Sequence, residues 1–361
     1  MIVVIADDLS GAAELAGAAR ARGLTAELQT AFSPEVDAEV ICLDSGTRAL
    51  SPAEAERRAS EVIRAVASAQ PSWIYLKFDS VLRGHALLEL RTVMATTGSR
   101  QVLFVPANPS RGRVIRGGEY FVDGQPLYET TFAQDPEYPR SSARVADLLG
   151  SEQGGIAIPD AESSADLAHH AAATDAGTIL AGAVDFFEAL LDHRTPRPLD
   201  EAPGSADATD ATGAIELAEG VTLLTCGSLT TWSDRRRKAH ERGVPIFELP
   251  EDPRLVVQAL ERHRVALLGI GDQRVDQRTA PSEFVESLAE CVAGVLHHGH
   301  IDRLLLEGGA TAAAVVRRMG WTRLRACRPP APGVGAFTPH TPPRSKLFIK
   351  PGSYPWPEGL W

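Results

Sequence analysis

Short apolar segments alternate along this chain with longer segments in which apolar residues recur every three or four positions. Residues 12–22 show this helical spacing, and Pro52 stands in the first turn of a second predicted helix, where proline is favoured. The short segments are rich in β-branched residues, which is typical of buried parallel strands. In the first half of the chain they are residues 2–6, 40–43, 74–76 and 102–105.

The alternation is interrupted after Pro106. Residues 120–122 and 126–128 flank an Asp123-Gly124 pair, which favours the positive φ angles of a tight hairpin turn. We therefore expect a β-hairpin that leaves the main sheet. The alternation then resumes with strands at 156–158 and 178–180 and a helix at 164–173.

A change in composition divides the chain. The segment from Thr195 to Glu219 is rich in Pro, Asp, Ala, Thr and Gly, and a length of 361 residues is comfortable for two domains. We predict an N-terminal domain of residues 1–195, a linker of residues 196–219 and a C-terminal domain of residues 220–361. Each domain is expected to be an α/β unit with a mostly parallel sheet flanked by helices. The C-terminal strands are expected near 221–225, 244–249, 265–269, 304–306 and 346–349.

The charge and cysteine patterns exclude some functions. There are 36 Lys and Arg against 47 Asp and Glu, a net charge of −11, with no block of like charge, which disfavours nucleic-acid and membrane-surface binding. The opening apolar segment, residues 1–6, is too short for a signal peptide or a membrane span, which predicts a cytoplasmic protein. The scattered cysteines predict buried free thiols, not disulfides or a zinc site. They are Cys42, Cys226, Cys291 and Cys327.

Polar residues follow the first two predicted strands, and ligands in open α/β sheets bind beyond the carboxyl ends of strands. Asp7-Asp8-Leu9-Ser10-Gly11 leads into a helix whose N-terminal N–H groups suit an anion, although a simple helix cap explains this segment equally well. Asp44-Ser45-Gly46-Thr47-Arg48 combines a carboxylate, hydroxyls and a guanidinium. Taken alone, it is more simply a turn with a solvated arginine.

The turn after the third strand, residues 77–85, holds two cations, a carboxylate, a hydroxyl and an imidazole. Arg83 suits a planar carboxylate and Lys77 suits a phosphate or a substrate oxygen. Asp79 can orient a hydroxyl or accept its proton. The alternative is an ion pair between Asp79 and Arg83 at a helix start. A fourth polar loop, residues 106–113, either adds Arg113 to an anion site or is a solvated loop.

Two glycine-containing loops, residues 226–230 and 307–311, follow strands in the second domain. Each is expected to open a helix, so that backbone N–H groups can hold phosphate oxygens and small side chains allow a close approach. Each signal is common in α/β proteins, and neither a P-loop nor a Gly-x-Gly-x-x-Gly fingerprint is present. A nucleotide would therefore bind in another way. The histidines at 297, 298 and 300 fit a solvated helix end better than a metal site.

Taken in order, these segments resemble the motifs of the four-carbon acid sugar kinase family. The N-terminal matches are Ala6-Asp7-Asp8-Leu9-Ser10-Gly11-Ala12, Asp44-Ser45-Gly46-Thr47-Arg48, Lys77-Phe78-Asp79-Ser80-Val81-Leu82-Arg83-Gly84 and Pro106-Ala107-Asn108-Pro109. The resemblance continues through residues 118–135. In the second domain it includes Gly227-Ser228, Gly308-Gly309-Ala310-Thr311, Pro332-Gly333 and Lys350-Pro351-Gly352, so that it covers nearly the whole chain apart from the linker.

This resemblance implies a kinase that moves the γ-phosphate of ATP, accompanied by Mg²⁺, onto a hydroxyl of threonate, erythronate or an oxo-tetronate. The N-terminal domain would bind the sugar acid and the C-terminal domain ATP, with an active-site cleft between them. Asp79 would be the catalytic residue, while the metal ligands and a homodimeric state stay open. The acid pocket would be lined by Asp8, Arg48, Lys77, Asp79 and Arg83, and the nucleotide site by Ser228, Gly308, Gly309, Ala310, Thr311 and Gly352.

The chain departs from the family pattern at several positions. The family usually has Thr at the positions of Phe78 and Val81, Asn at that of His85 and an acidic residue at that of Ala310. The loss of two hydroxyls predicts a different or less polar substrate, and Ala310 predicts weaker nucleotide or metal binding.

Two alternative functions stay open on the sequence. One is a non-catalytic relative that senses a sugar acid or a nucleotide. The other is a hydrolase or phosphatase that uses Asp7 and Asp8, although adjacent residues of an extended chain point to opposite faces and do not match an Asp-x-Asp pair.

Overall fold

The computed structural model describes residues 1–135, 138–150, 154–175, 177–195, 220–271, 281–352, 354–357 and 360. Within these residues the α-helices are α1 (Leu9–Ala21), α2 (Pro52–Ser68), α3 (Ala86–Thr97), α4 (Val145–Leu149), α5 (Ser164–Ala172), α6 (Val184–Arg194), α7 (Leu229–Glu241), α8 (Pro253–His263), α9 (Pro281–His298) and α10 (Gly309–Arg318). The strands of the first half are β1 (Ile2–Ala6), β2 (Ala26–Gln29), β3 (Val40–Asp44), β4 (Trp73–Lys77), β5 (Val102–Val105), β6 (Arg113–Arg116), β7 (Glu119–Val122), β8 (Gln125–Pro126), β9 (Ile156–Ala157) and β10 (Ile179–Gly182). Those of the second half are β11 (Thr222–Cys226), β12 (Ile246–Glu248), β13 (Val265–Gly269), β14 (Arg303–Glu307), β15 (Arg323–Ala331), β16 (Val334–Pro339) and β17 (Lys346–Lys350).

Fourteen strands form one sheet in the order β12-β13-β11-β14-β17-β16-β15-β2-β3-β1-β4-β10-β5-β9. The strands from β12 to β17 pair in parallel, as do those from β2 to β9 at the other end. Antiparallel pairings of β17 with β16, β16 with β15 and β15 with β2 join the two parallel groups. The prediction of a mostly parallel α/β sheet flanked by helices is therefore confirmed, and the two groups are continuous.

The pairing of β2 with β15, which we call the seam, was not predicted from the sequence. β2 has a glutamate and a glutamine among its four residues, and β15 has three arginines and two prolines, so neither has the apolar pattern of a buried strand. Buried Glu27 of β2 accepts hydrogen bonds of 2.6 and 3.0 Å from Nε and Nη2 of Arg323. This ion pair stabilises the seam beside the buried pair of Leu28 and Leu324.

Helix α1 lies across the seam and connects the two halves. It packs on β2 and β3 on one side and on β15, β16 and β17 on the other. Small residues allow this close packing: a Cβ atom on Gly17 would lie 3.7 Å from the Pro329 side chain. The start of α1, directly after β1, is thus held by both halves of the molecule.

The predicted hairpin is confirmed, with one difference at its end. Strands β6, β7 and β8 form a separate three-stranded antiparallel sheet, and the turn between β7 and β8 has positive φ angles at Asp123 (51°) and Gly124 (79°). The second hairpin strand is shorter than predicted, because residues 127–129 form a 3₁₀ turn.

The structure tests the prediction for the cysteines but not the predicted domain boundaries. The four cysteines are free and buried, as predicted. The predicted linker, residues 196–219, lies outside the described residues, so the domain boundaries stay a prediction. No helix among the described residues is long and apolar enough to cross a membrane.

Candidate active site

Three neighbouring parallel strands bring the N-terminal polar clusters together. Ala6 at the end of β1 pairs with Asp44 of β3 on one side and with Lys77 of β4 on the other. The segments that follow these strands therefore begin at the same edge of the sheet. The structure places Asp8, Arg48, Lys77, Asp79 and Arg83, the five predicted acid-pocket residues, at this edge.

Arg48 is tied to both aspartates that follow β1. Its Nε and Nη2 donate to the two carboxylate oxygens of Asp7 at 2.9 and 2.7 Å, and its Nη1 donates to Oδ2 of Asp8 at 2.7 Å. Burial raises the pKa of Asp7 despite the Arg48 cation, while both aspartates hold the pKa of Arg48 above its usual range against burial. The guanidinium is thus an internal partner of two carboxylates and not a solvated group.

Asp8 both caps a helix and belongs to the cluster. Its Oδ1 accepts the backbone N–H of Gly11 at 2.8 Å, which caps α1, and its Oδ2 accepts the Ser10 hydroxyl at 2.6 Å. The two interpretations of this segment, as a cap and as part of a site, are therefore compatible.

Asp79 and Arg83 form the ion pair that the sequence left as an alternative. Nε and Nη2 of Arg83 donate to Oδ2 and Oδ1 of Asp79 at 3.0 and 2.7 Å, in a turn that precedes α3. Asp79 Oδ2 also accepts the backbone N–H of Val81 at 3.0 Å. Burial would raise the pKa of Asp79, but the Arg83 and Arg48 cations hold it well below its usual range, so the carboxylate is ionised at neutral pH.

Lys77 joins the acid pocket to the C-terminal loop. Its Nζ lies 3.4 Å from Oε2 of Glu14, and Oε1 of Glu14 accepts the hydroxyl of Tyr354 at 2.7 Å. The guanidinium of Arg111 stacks on the Tyr354 ring, 3.6 Å from its centre. Tyr354 is thus connected to Lys77, a predicted substrate-binding cation, through the Glu14 carboxylate.

The structure places Arg113 of the 106–113 loop, and also Phe78 and Val81, two positions at which the chain departs from the expected motif. Arg113 donates to the Ser80 hydroxyl, so this loop contacts the turn that carries Asp79. The Phe78 side chain is 1% exposed and packs edge-to-face on Phe104, and Val81 is also 1% exposed. Both side chains belong to the core. The replacement of hydroxyl groups at these positions therefore changes the packing of the core and not the polarity of an exposed surface.

The predicted nucleotide-site residues also cluster. A Cβ atom on Gly227 would overlap Oγ1 of Thr311, and one on Gly352 would lie 3.5 Å from Oγ of Ser228. Gly308 donates its backbone N–H to the carbonyl of Lys350 and has φ 103°, a conformation that favours glycine. The ends of β11, β14 and β17 therefore hold Ser228, Gly308, Gly309, Ala310, Thr311 and Gly352 together.

A buried ionic cluster behind these loops was missed by the sequence analysis. Glu307 at the end of β14 accepts hydrogen bonds of 2.8 Å from Nε of Arg235 and from Nε1 of Trp356, and its Oε1 lies 3.2 Å from Nζ of Lys350. Burial lowers the pKa of Lys350 to about 8 even though Glu307 opposes the shift. The sequence did contain a signal for this cluster: the neighbouring apolar strands β14 and β17 each end in a charged residue, Glu307 and Lys350.

The two clusters meet where α1 and α10 begin. A Cβ atom on Gly309 would lie 2.9 Å from Oδ2 of Asp8 and 2.9 Å from Oγ of Ser10. The N-cap residue of α10 is Gly308, which has no side chain to cap the helix, and the Ser228 side chain at the N-cap of α7 makes no capping hydrogen bond. The N–H groups of α10 are thus directed at a junction with the acid pocket.

No group of three or more His, Cys, Asp or Glu side chains with the arrangement of a metal site occurs in the described part of the chain. Mg²⁺ that accompanies a nucleotide needs only one or two carboxylates besides phosphate oxygens and water. Asp8, with Oδ2 at the junction, is a carboxylate of that kind.

A family model described as a sugar-binding N-terminal domain matches residues 2–176. The D-threonate kinase of Cupriavidus necator is 26% identical over 421 aligned positions, which cover 99% of this chain and 96% of that protein. The N-terminal part of this chain is thus similar to a sugar-binding domain, and nearly the whole chain is similar to a D-threonate kinase. A shorter match has a higher identity: the D-erythronate kinase of Heliobacterium modesticaldum is 32% identical over 157 residues, or 42% of this chain. That match spans 36% of the relative, so the chain covers about a third of its length.

A solved structure shows a similar fold. The crystal structure of a Haemophilus influenzae protein of family DUF1537 superposes with a TM-score of 0.69 over 99% of this chain and 98% of that one, at 18% sequence identity. The arrangement of strands and helices is therefore similar in the two proteins although few of their residues are identical.

Several residues that contact or face the predicted acid-pocket residues were not predicted from the sequence. Glu14 and Tyr354 extend the contacts of Lys77, and Tyr138 donates its hydroxyl to the carbonyl of Arg48 at 2.8 Å. Arg140 lies near Asp79 and interacts with it electrostatically. Arg140 is a cation in the segment that follows the hairpin, but no pattern in the sequence places it near Asp79.

Proposed function

We propose that the protein is an ATP-dependent kinase that phosphorylates a hydroxyl of a short sugar acid. The contact of Gly309 with Asp8 and Ser10 carries this proposal, because it brings a helix start suited to phosphate beside the acid pocket. A phosphate bound at the start of α10 would lie next to a hydroxyl held near Asp8. The names of the similar erythronate and threonate kinases support the substrate class.

The glycine loops would hold the phosphates of ATP. The N-termini of α7 and α10, which have no side-chain caps, supply N–H donors. Gly308 leaves space for phosphate oxygens, because the nearest atom to a Cβ atom there, apart from its chain neighbours, would be Oγ1 of Thr311 at 3.7 Å. Mg²⁺, when bound with ATP, would neutralise phosphate charge, and Asp8 would be its protein ligand at the junction. Ala310 is exposed and offers no carboxylate, so the chain depends on other groups there.

Asp79 would orient the acceptor hydroxyl. Its Oδ2 already accepts hydrogen bonds from Val81 and Arg83, whereas Oδ1 has one donor, Nη2 of Arg83, and keeps a lone pair for a hydroxyl. A carboxylate with such a low pKa is a weak base. Positioning of the nucleophile therefore matters more than proton abstraction, as expected for the loose transition state of phosphoryl transfer.

An ADP-release assay with Mg-ATP and a panel of three- to six-carbon sugar acids tests this function. We expect turnover of at least one acid by the wild-type protein and a loss of about 100-fold or more in kcat for Asp79→Asn. Exposed Asp37 supplies the matched control, since Asp37→Asn should keep full activity. Full activity of Asp79→Asn with the same acid would remove Asp79 from the mechanism.

The same panel separates the alternatives. Thermal stabilisation by a sugar acid or ATP without turnover of any acid would favour a non-catalytic sensor, to which the exposed Ala310 points. Release of phosphate from a phosphorylated sugar acid in the absence of ATP would indicate a phosphatase.

A further inference from the structure

Arg140 has a guanidinium edge that is shielded from solvent and makes no hydrogen bond to the described residues, while its Cζ lies 6.0 Å from the centre of the Tyr138 ring. Among the residues that the structure describes, neither its Nε nor its Nη2 has a hydrogen-bond partner, although both atoms are shielded from solvent. Burial lowers the pKa of Arg140, and the Asp79 and Asp135 charges only partly oppose this effect. A shielded cation without hydrogen bonds is costly, and the described residues supply no group that completes this site, which leaves it open to a ligand.

Other arginines of this chain show what that edge binds. In four of them, Nε and Nη2 together donate to the two oxygens of one carboxylate, at distances between 2.6 and 3.1 Å. This is the paired geometry that a guanidinium offers to a planar carboxylate. The four pairs are Arg22 with Asp192, Arg48 with Asp7, Arg83 with Asp79 and Arg323 with Glu27.

The two arginines that the sequence predicts for the acid pocket, Arg48 and Arg83, already use their Nε and Nη2 atoms for internal ion pairs. Arg83 uses them for Asp79, and its remaining Nη1 lies 3.6 Å from Oδ2 of Asp135. Arg48 uses them for Asp7 and gives Nη1 to Asp8. An incoming carboxylate would have to break an internal ion pair to use either residue. Arg140 requires no such exchange.

We propose that Arg140 binds the carboxylate of the sugar acid through Nε and Nη2 and thereby selects acids over neutral polyols. This inference rests on the proposed function for the identity of the acid. It assigns Arg83 a different role, since Arg83 positions Asp79. Because Arg140 lies close enough to Asp79 for their charges to interact, a carboxylate held by Arg140 would leave the hydroxyls of a short acid near Asp79.

Binding and turnover of matched ligand pairs test the proposal. D-threonate and D-erythronate are compared with threitol and erythritol, in which a CH₂OH group replaces the carboxylate. Binding to the wild-type protein, Arg140→Met and Arg140→Lys is measured by calorimetry without ATP, and kcat/KM is measured with Mg-ATP for any acid that reacts. Arg144→Met is the control, because Arg144 is an exposed arginine of the same segment.

We expect Arg140→Met to weaken acid binding and to lower kcat/KM by about 100-fold, and Arg140→Lys by about 10-fold, since lysine keeps the charge but loses the paired donors. Polyol binding and the KM for ATP should not change, and Arg144→Met should behave like the wild type. A shift confined to the KM for ATP would overturn the proposal in favour of a phosphate contact. Equal losses for acid and polyol would overturn it in favour of a purely structural role.

The two hypotheses fail in different ways. Acid binding that depends on Arg140, without turnover, would contradict the kinase and support the carboxylate site. Turnover that is unaffected by Arg140→Met would support the kinase and overturn the carboxylate site. Failure of the wild-type protein to bind either acid would also overturn it.

Discussion

Gly309 at the start of α10 and Asp8, the N-cap residue of α1, lie so close together that a Cβ atom on Gly309 would lie 2.9 Å from Oδ2 of Asp8. Oγ of Ser10 would be equally close to that Cβ atom. The contact joins a helix start of the second half to the acid pocket of the first. Its geometry depends on the absence of a side chain at residue 309.

Gly309→Ala should therefore impair catalysis more than folding. The added methyl group would push Asp8 and Ser10 away from α10, which should cost about 1–3 kcal/mol locally and displace the groups that meet at the junction. We expect at least a 10-fold loss in kcat/KM for the responsive acid in the ADP-release assay. Gly177→Ala is the control, because nothing lies within 4 Å of a Cβ atom there. Wild-type activity of Gly309→Ala would show that the junction is not where the reaction occurs.

Arg48 and Arg140 should respond in opposite ways to the same substitution. Arg48→Met would leave the Asp7 carboxylate, which is buried, without its bidentate partner, and we expect the free energy of unfolding to fall by about 3 kcal/mol. Arg140→Met removes a cation that has unbonded Nε and Nη2 atoms, so stability should stay equal or rise. Urea unfolding of the two ligand-free variants measures both effects. A comparable loss in both would mean that Arg140 has an internal structural role.

Glu89 should make stability decrease as the pH rises from about 4.5 to about 8. Burial and the nearby Asp7 charge raise the pKa of this carboxyl to about 8 from its ordinary 4.5. Within that window the unfolded chain has lost a proton that the folded protein keeps, so the slope of the unfolding free energy against pH is negative. One proton corresponds to at most about 1.4 kcal/mol per pH unit.

Glu89→Gln should remove this contribution and retain a polar partner for the Thr47 hydroxyl, which Glu89 now accepts at 2.8 Å. Unfolding by urea at pH 5 and pH 8 should show a smaller loss of stability in the variant than in the wild-type protein. Glu56→Gln, at an exposed position, should leave the wild-type slope unchanged. Identical slopes for Glu89→Gln and the wild type would contradict the raised pKa.

The sequence was informative where the site depends on strand order and local segments. Lys77 ends one buried parallel strand, and Asp8 and Arg48 lie in the segments that follow two others, so their assembly at one edge follows from apolar runs and turn residues. It could not show that Arg48 binds Asp7 and Asp8, because that pairing depends on the relative positions of segments that follow two different strands.

The features that were missed depend on long-range contacts between polar segments. The seam pairs β2 with β15, two strands without an apolar run, through the ion pair of Glu27 with Arg323 and the buried pair of Leu28 and Leu324. Arg140 follows a hairpin outside the main sheet, so no periodicity places it near Asp79. Both features required the folded chain, since hydrophobic patterning carries no information about which distant charges meet.

Tyr354→Phe should weaken sugar-acid binding through Lys77. The mutation removes the hydroxyl that donates to Glu14 at 2.7 Å, and Glu14 in turn lies 3.4 Å from Nζ of Lys77. The ring itself should stay in place, because the phenylalanine keeps its shape in the space left by Gly333, where a Cβ atom would overlap it. Loss of one hydrogen bond should lower the free energy of unfolding by about 1 kcal/mol.

For this variant we expect the KM for the sugar acid to rise by about 3- to 10-fold while the KM for ATP stays the same, since the released Glu14 carboxylate can move towards Lys77 and compete with the substrate for its charge. Steady-state kinetics with each substrate varied separately measure the two constants. Tyr128→Phe, at a tyrosine that is 45% exposed, should change neither. An unchanged KM for the acid would show that the C-terminal loop stabilises the fold without influencing the acid pocket, whereas a rise in the KM for ATP alone would place Tyr354 on the nucleotide side of the junction.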